Sequence, residues 1–370
     1  MTKRLIPNPE NVRSVAVLRF GGLGDYLLLM PLLEDLRAYY KNSVITVIAG
    51  PSGAELLGTC PAVDKLVILP QISKQGWESV LSPAAVAELF RISRNLPYPL
   101  DIFIDAVSKY SLAGSMKPLL CRLLANPRFS AGLDYRRRAF LCNLRIPEDR
   151  HKHKHLIERY AELARALGCD AKFHLPELPL PQEALSAAKD FFAPHQRVPK
   201  IGMHPGANAK FLQDRAWPVE RFASLAERIM QKMPNAKIFL TGARHEESLL
   251  ADLARRISPC PLILPFQESI LSFVAYLRSL DFYISNDTGP MHLAVASGVP
   301  TLGIFGHADF ETYGSYPADL PFVGVTLCKN EAKPGPAPRG SDPRGLLEIS
   351  VEEVYGAFEK LRGMRKGAAA

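Results

Sequence analysis

The 370-residue chain predicts the α/β class, organised as two doubly wound parallel-sheet domains facing across a cleft. Three observations carry that expectation. Short β-branched runs alternate with helical patterns, the mark of a parallel sheet covered on both faces. The alternation halts in the proline-rich stretch 176–181 and restarts at Lys200. A hydrophobic content of 47% over this length is enough for two cores of ordinary domain size.

In the first domain, expected over residues 1–178, strands are predicted at 15–20, 44–49, 66–69 and 102–104. A glycine turn after the first strand leads into a helix over 27–40, and residues 156–167 have clear amphipathic spacing. The second domain, 179–350, opens with a short helix to Phe192 and carries strands at 201–204, 237–240, 262–264, 281–285 and 301–305. Residues 329–345, rich in Pro, Gly and charge, read as a surface loop. A closing segment, 351–370, holds a helix over 351–361 and a tail, 365–370, expected to be disordered. Ligands of such sheets bind beyond the carboxyl ends of the strands, so the cleft between the domains is the expected site.

A formal charge of +8 favours an anionic partner: a nucleotide, a nucleic acid or the phosphate-bearing face of a membrane. The six cysteines, Cys60, Cys121, Cys142, Cys169, Cys260 and Cys328, show no C-x-x-C pairing, which suggests reduced thiols in a cytoplasmic chain rather than zinc or redox chemistry. Residues 1–13 lack the apolar region of a signal peptide, and no apolar run approaches the roughly 20 residues of a membrane span. A soluble, cytoplasmic protein with neither metal nor cofactor is expected.

The most informative stretch is Asp287-Thr288-Gly289-Pro290-Met291-His292-Leu293-Ala294, where an apolar strand gives way to a helix. Free N–H groups at a helix start attract phosphate, and Asp287 suits the hydroxyls of a sugar or ribose. Gly289 admits close backbone approach, and Pro290 suits the first helical turn. The stretch points to a nucleotide-sugar site. A single Asp-Thr-Gly does not make an aspartic protease, which needs two such carboxylates sharing a proton. His292, one turn into the helix, reads either as a satisfied core histidine or as a site residue; its spacing from Asp287 favours the site.

After the first strand, Gly21, Gly22 and Gly24 precede Asp25 at the start of a helix. Asp25 has two readings, a helix N-cap and a functional carboxylate at the cleft rim. The run departs from G-x-G-x-x-G, having Leu27 where the third glycine belongs, and so disfavours a nicotinamide enzyme. In the second domain His204-Pro205-Gly206-Ala207 ends a strand, and the charged run after it reaches Arg215-Ala216-Trp217-Pro218. Arg215 and Lys210 suit a diphosphate, with a solvated surface charge as the competing reading of Arg215. Trp217 reads as a packing anchor. Glu246 and Glu247, after the strand ending at Leu240, suit ribose hydroxyls or the first turn of a helix. Two basic stretches, Arg136-Arg137-Arg138 and residues 150–155, read as solvated loops or as contacts to an anionic acceptor or lipid headgroups.

Gly22-Leu23-Gly24-Asp25, His204-Pro205-Gly206, Arg215-Ala216-Trp217-Pro218, Gly242 to Glu246 and Asp287 to Leu293 occur in an order that resembles glycosyltransferase family nine, the ADP-heptose:lipopolysaccharide heptosyltransferases. The likeness runs from about Val12 to the final helix, and the Asp-Thr-Gly-Pro-Met-His block is its most specific part. The resemblance implies a GT-B fold of two Rossmann-like domains, the first holding a lipid-linked lipopolysaccharide-type acceptor and the second a nucleotide-sugar donor, with inverting, metal-independent transfer. Asp25 is then the general base. Donor contacts fall to Gly206, Asn208, Arg215, Glu246, Asp287, Thr288, Gly289 and His292; Gly22, Gly24, Arg136, Arg137 and Arg138 are the expected acceptor contacts. Arg215 stands where the family commonly has Lys, which keeps the charge and changes its geometry.

Two other functions fit parts of the pattern. A nucleotide-sugar hydrolase or epimerase would use the same scaffold without an acceptor, and a nucleic-acid-binding protein would use the basic stretches as a phosphate track. The lack of aromatic residues among those charges speaks against the latter, so no nucleic-acid partner is expected. A cytosolic donor and a lipid-linked acceptor imply peripheral contact with the cytoplasmic face of the inner membrane.

Overall fold

The structure is a computed structural model that describes residues 6–70, 82–107, 112–134, 137, 139, 141–148, 154–207, 216–306, 310–314, 316–317, 320, 322–326 and 344–368. Two compact units divide the chain, Met1–Pro176 and Glu177–Ala370.

The first unit is a six-stranded sheet of order β3-β2-β1-β4-β5-β6 with every pairing parallel. Its strands are β1 (Ser14–Leu18), β2 (Val44–Ala49), β3 (Lys65–Ile68), β4 (Ile102–Asp105), β5 (Phe129–Asp134) and β6 (Leu144–Pro147). The helices are α1 (Leu23–Tyr39), α2 (Ala54–Gly58), α3 (Pro83–Asn95), α4 (Leu112–Ala125) and α5 (Leu156–Ala166). β1 and β4 are buried along their whole length because helices cover both sheet faces, which is why they read as apolar runs, with only Ser14 and Asp105 polar at their ends. On one face Ala16, Leu18, Ile48 and Phe103 pack with Leu89 and Ile92 of α3 and Cys121 of α4.

The second unit repeats this arrangement with β7 (Lys200–His204), β8 (Lys237–Leu240), β9 (Leu262–Ile263), β10 (Phe282–Asn286), β11 (Thr301–Phe305) and β12 (Phe322–Thr326). Its order is β12-β11-β10-β7-β8-β9, again all parallel. Numbered within its own unit, each sheet follows the order 3-2-1-4-5-6 of dinucleotide-binding folds, with a topological switch point between β1 and β4 and another between β7 and β10. The helices are α6 (Gln182–Phe192), α7 (Val219–Lys232), α8 (Glu247–Arg256), α9 (Ile270–Arg278), α10 (Gly289–Ala296), α11 (Phe310–Tyr313), α12 (Arg344–Glu348) and α13 (Val351–Ala368). Val354, Phe358 and Leu361 of α13 enter the same core as Ile201, Ile238, Ile284 and Leu302, so the closing helix is part of this unit. Burying a side chain such as Phe358 contributes roughly 1.5–3 kcal/mol.

Several expectations need correction. Helix α1 begins four residues before the expected start at 27, because the glycine turn is followed at once by helix from Leu23. Strands β5, β6 and β12 have no counterpart among the predicted strands. Helix α13 continues to Ala368 and so takes in residues 365–368 of the expected tail, while 369–370 lie outside the described residues. Of the expected loop 329–345, residues 329–343 lie outside the described residues and Arg344 begins α12. Among the described residues, no helix is long and apolar enough to cross a membrane.

Candidate active site

In the first unit the chain leaves β1 at Leu18 and enters α1 at Leu23, so Arg19 to Gly22 form the turn at the switch point. Gly22 is the N-cap and has no side-chain oxygen with which to cap. Asp25, in the third position of the helix, reaches back instead: its Oδ2 accepts from the Gly22 N–H at 2.7 Å. The expected N-cap role of Asp25 is thereby corrected; it closes the cap from inside the helix. Oδ1 pairs with Arg19 Nη2. Arg19 is buried, donates from Nη1 to the Ala106 carbonyl at 3.0 Å and lies over the Tyr160 ring at 6.0 Å. The same carbonyl accepts from Tyr160 Oη at 3.1 Å. A guanidinium anchored to the far side of the switch point therefore orients the carboxylate. A Cβ on Gly21 would stand 2.2 Å from Asp25 Oδ2 and 2.6 Å from Asp25 Cβ, so a side chain there would displace the carboxylate from its root.

Gly22 is exposed and Gly24 half-buried, on either side of the α1 start. Arg137 lies exposed in the turn after β5 with φ of 60°, the left-handed region that few non-glycine residues adopt. Arg136 and Arg138 lie outside the described residues, as do residues 150–153 of the second basic stretch. The rest of that stretch is occupied structurally. His155 is buried as the N-cap of α5, its N–H held by Glu158 at 2.9 Å, and Lys154 pairs with Glu162.

In the second unit β7 and β10 deliver two segments side by side. At the end of β7, His204 is buried with Nδ1 2.9 Å from the Thr241 carbonyl, and burial pushes its pKa down against the opposing pull of Glu246. The neutral ring is therefore favoured. Thr241 Oγ1 lies 2.7 Å from Tyr283 Oη, whose phenol burial keeps protonated, with Glu246 adding to the effect. Above this uncharged floor, Glu246 Oε2 accepts from the Ala243 N–H at 2.8 Å. A Cβ on Gly206 would stand 1.9 Å from Glu246 Oε1, so the carboxylate lies directly over the Gly206 backbone. Glu247 is exposed as the first residue of α8. Of the two glutamates left open by the sequence, Glu246 is the one that meets the loop after β7.

Beyond β10 come Asp287 and the N-cap Thr288, whose Oγ1 donates to the Asn286 carbonyl at 3.3 Å rather than capping α10. Pro290 has no N–H, and the Met291 N–H donates to the Thr288 carbonyl at 3.2 Å. The helix start therefore offers fewer donors than the four of an ordinary helix end, with Gly289 as its leading residue. His292 is buried, and its Nδ1 lies 2.6 Å from Tyr316 Oη. Burial holds the Tyr316 phenol protonated, and the negative charge of Asp287 works in the same direction. Asp287, Thr288, Gly289 and His292 thus share one strand end and one helix turn. Asn208, Lys210 and Arg215 lie outside the described residues. Trp217 is a buried anchor, its indole donating to the Ile349 carbonyl at 2.9 Å and packing edge-on to Phe222.

The model of glycosyltransferase family 9 (heptosyltransferase) matches residues 109–334. The chain belongs to this family. The lipopolysaccharide core heptosyltransferase OpsX of Haemophilus influenzae is 22% identical over 363 residues, which cover 95% of this chain and 98% of that protein. Among solved structures, the family 9 glycosyl transferase of Veillonella parvula aligns with a TM-score of 0.70 at 21% identity, over 94% of this chain and 97% of its own. The E. coli heptosyltransferase WaaC, solved with ADP, aligns with a TM-score of 0.66 at 20% identity, over 94% and 99% of the two chains. The shared fold is GT-B, a succession of two Rossmann-like units.

Arg19, Asn286 and Tyr316 also hold parts of this candidate site in place, roles that the sequence did not assign. Arg19 had a signal in its place directly after the first strand, two residues before Gly21. Tyr316 had none, being 24 residues from His292. Asn286 is the last residue of a wholly buried strand, and a polar amide ending an apolar run is a signal that was available.

Proposed function

We propose that this glycosyltransferase moves a heptose from ADP-heptose to a lipopolysaccharide core acceptor, with inversion at the anomeric carbon and without a metal ion. The observation that carries the donor assignment is the convergence, at the β7–β10 switch point, of Glu246 over Gly206 with the Asp287-Thr288-Gly289 helix start. Support for the sugar and the base comes from the family description, the heptosyltransferase relatives, and E. coli WaaC structures with ADP and with ADP-2-deoxy-2-fluoro heptose.

In this reading Glu246 accepts the ribose hydroxyls, Asp287 the hydroxyls of the donor sugar, and Thr288 and Gly289 the diphosphate through main-chain N–H groups. His292 completes that end of the pocket. Gly206 and Asn208 contribute backbone contacts, and Arg215 with Lys210 neutralises the leaving diphosphate, the work that a divalent cation does elsewhere. Asp25 takes the proton from the acceptor hydroxyl as the C–O bond to the diphosphate breaks and the new glycosidic bond forms. An ionised carboxylate has about four acceptor sites, so Arg19 and Gly22 can orient Asp25 and leave it able to accept a proton. Gly22, Gly24 and Arg136 to Arg138 face the anionic, lipid-linked acceptor, and the enzyme works peripherally at the cytoplasmic face of the inner membrane without a nucleic-acid partner.

The test is a binding panel of ADP, UDP, GDP and their sugars read by thermal shift, followed by assay of the best donor with heptose-free core acceptor in EDTA. Selective stabilisation by ADP and ADP-heptose, with an inverted anomeric product, is the expected result. Donor consumption without acceptor would indicate the hydrolase or epimerase instead.

A further inference from the structure

We infer that Asn286 is a positioning residue that ties the Pro205 and Gly206 backbone beyond β7 to the Trp217 backbone before α7, and thereby sets the Gly206 main chain beneath Glu246 for nucleotide binding. The inference rests on the reading that the second unit binds the donor nucleotide.

Asn286 is fully buried at the end of β10. Its Nδ2 donates to the carbonyls of Pro205 at 2.9 Å and Gly206 at 3.2 Å, and its Oδ1 accepts from the Trp217 N–H at 3.1 Å. Two carbonyls on one side and one N–H on the other fix the orientation of the amide. All three partners are main-chain groups. One side chain therefore ties the backbone that leaves β7 to the backbone that precedes α7. Its own backbone continues directly into Asp287 and Thr288.

Only a primary amide of this length fits the position. Aspartate lacks the donors, a hydrophobic isostere lacks both kinds of group, and glutamine carries an extra methylene into a site with no exposed surface. Core packing is secured independently, because the Trp217 indole is held by the Ile349 carbonyl and Phe222. The bonds of Asn286 act instead on the Gly206 backbone, the surface on which the Glu246 carboxylate lies. Displacement of the Gly206 carbonyl therefore moves the floor of the ribose site.

Asn286→Asp is the informative variant. It keeps the bond from the Trp217 N–H, but when ionised turns an acceptor toward two carbonyls; when protonated it regains one donor. Burial beside carbonyl oxygens raises such a carboxyl's pKa, which brings the protonation toward neutrality. Affinity is measured by calorimetry for whichever of ADP, UDP and GDP binds the wild type, between pH 6 and pH 8.5, alongside unliganded melting temperatures. Relative to wild type at each pH, the variant is expected to bind about tenfold or more weakly at pH 8.5 and to recover most of that loss by pH 6. Asn286→Ser, which retains one donor, is the second variant, and Ile229→Ala in the α7 core is the control for plain destabilisation.

A pH-independent affinity ratio for Asn286→Asp, or an Asn286→Ser affinity loss no greater than that of an equally destabilised Ile229→Ala, would overturn the positioning role. If the wild type binds none of the three nucleotides, the donor reading fails first and takes this inference with it.

Discussion

The Oε1 atom of Glu246 lies 1.9 Å from the place a Cβ would take on Gly206, so the two positions form one feature: glycine after β7 exists beside a carboxylate that occupies its missing side chain. Adding a methyl group at 206 forces the flexible end of Glu246 aside rather than breaking the sheet. Gly206→Ala is therefore expected to weaken ADP binding about tenfold while leaving the melting temperature close to wild type, and Glu246→Ala to do the same. Because both remove one contact, the double variant should bind hardly worse than either single one. Calorimetry on the four proteins checks this, and additive losses would show that the two residues act separately.

Asp25→Asn keeps an oxygen for the Gly22 N–H and abolishes both the proton-accepting anion and its pairing with Arg19. General-base catalysis contributes about 10²–10⁴-fold, so kcat should fall by that order with ADP affinity unchanged. Steady-state kinetics with saturating donor reads the first and calorimetry the second. Wild-type turnover would remove Asp25 from the chemistry.

The contrast between what was legible and what was not is one of range along the chain. β1, β2, β4, β7, β10 and β11 announce themselves as apolar runs because they lie within their sheets and are buried nearly throughout. β5 is equally buried, but its Ser130, Ala131 and Gly132 are small to admit a neighbour: a Cβ on Gly132 would stand 3.1 Å from that of Asp105. β6 alternates exposed with half-buried residues and ends in Pro147, as an edge strand tolerates, and β12 is interrupted by Gly324 beneath Phe310. The same holds for the site. The Asp287 to His292 block is contiguous and could be recognised, whereas Asn286 finds its partners 69 and more residues away, and Arg19 reaches a carbonyl 87 residues on. No local spacing encodes those meetings.

Tyr316→Phe removes the hydroxyl that meets His292 Nδ1 and leaves the surrounding rings, including that of Tyr313, in place. A buried imidazole nitrogen deprived of its partner costs about 1–3 kcal/mol. Denaturant unfolding should register a loss of that size. Nitrogen-15 chemical shifts of the His292 ring should change as well, because the Tyr316 contact biases which nitrogen carries the proton. An unaltered ring spectrum would show that the pair is a packing contact without influence on the tautomer.

His174 lies two residues before the division between the units and is held to α1 through Glu34, with Nε2 2.8 Å from Oε2. That hydrogen bond pushes the histidine up to about 9, against the opposing effect of burial. A folded value above the unfolded one means that the interaction stabilises fully below about pH 6.5 and is lost as pH rises through about 9. Because the ring is 36% exposed, solvent screening holds the effect to no more than about 1 kcal/mol. Urea unfolding of the wild type should show this decline between pH 6.5 and 9, and His174→Gln should flatten it. Glu34→Gln should bring the His174 midpoint, followed by proton NMR, back toward the ordinary histidine range. A midpoint unmoved by that substitution would rule out Glu34 as the cause.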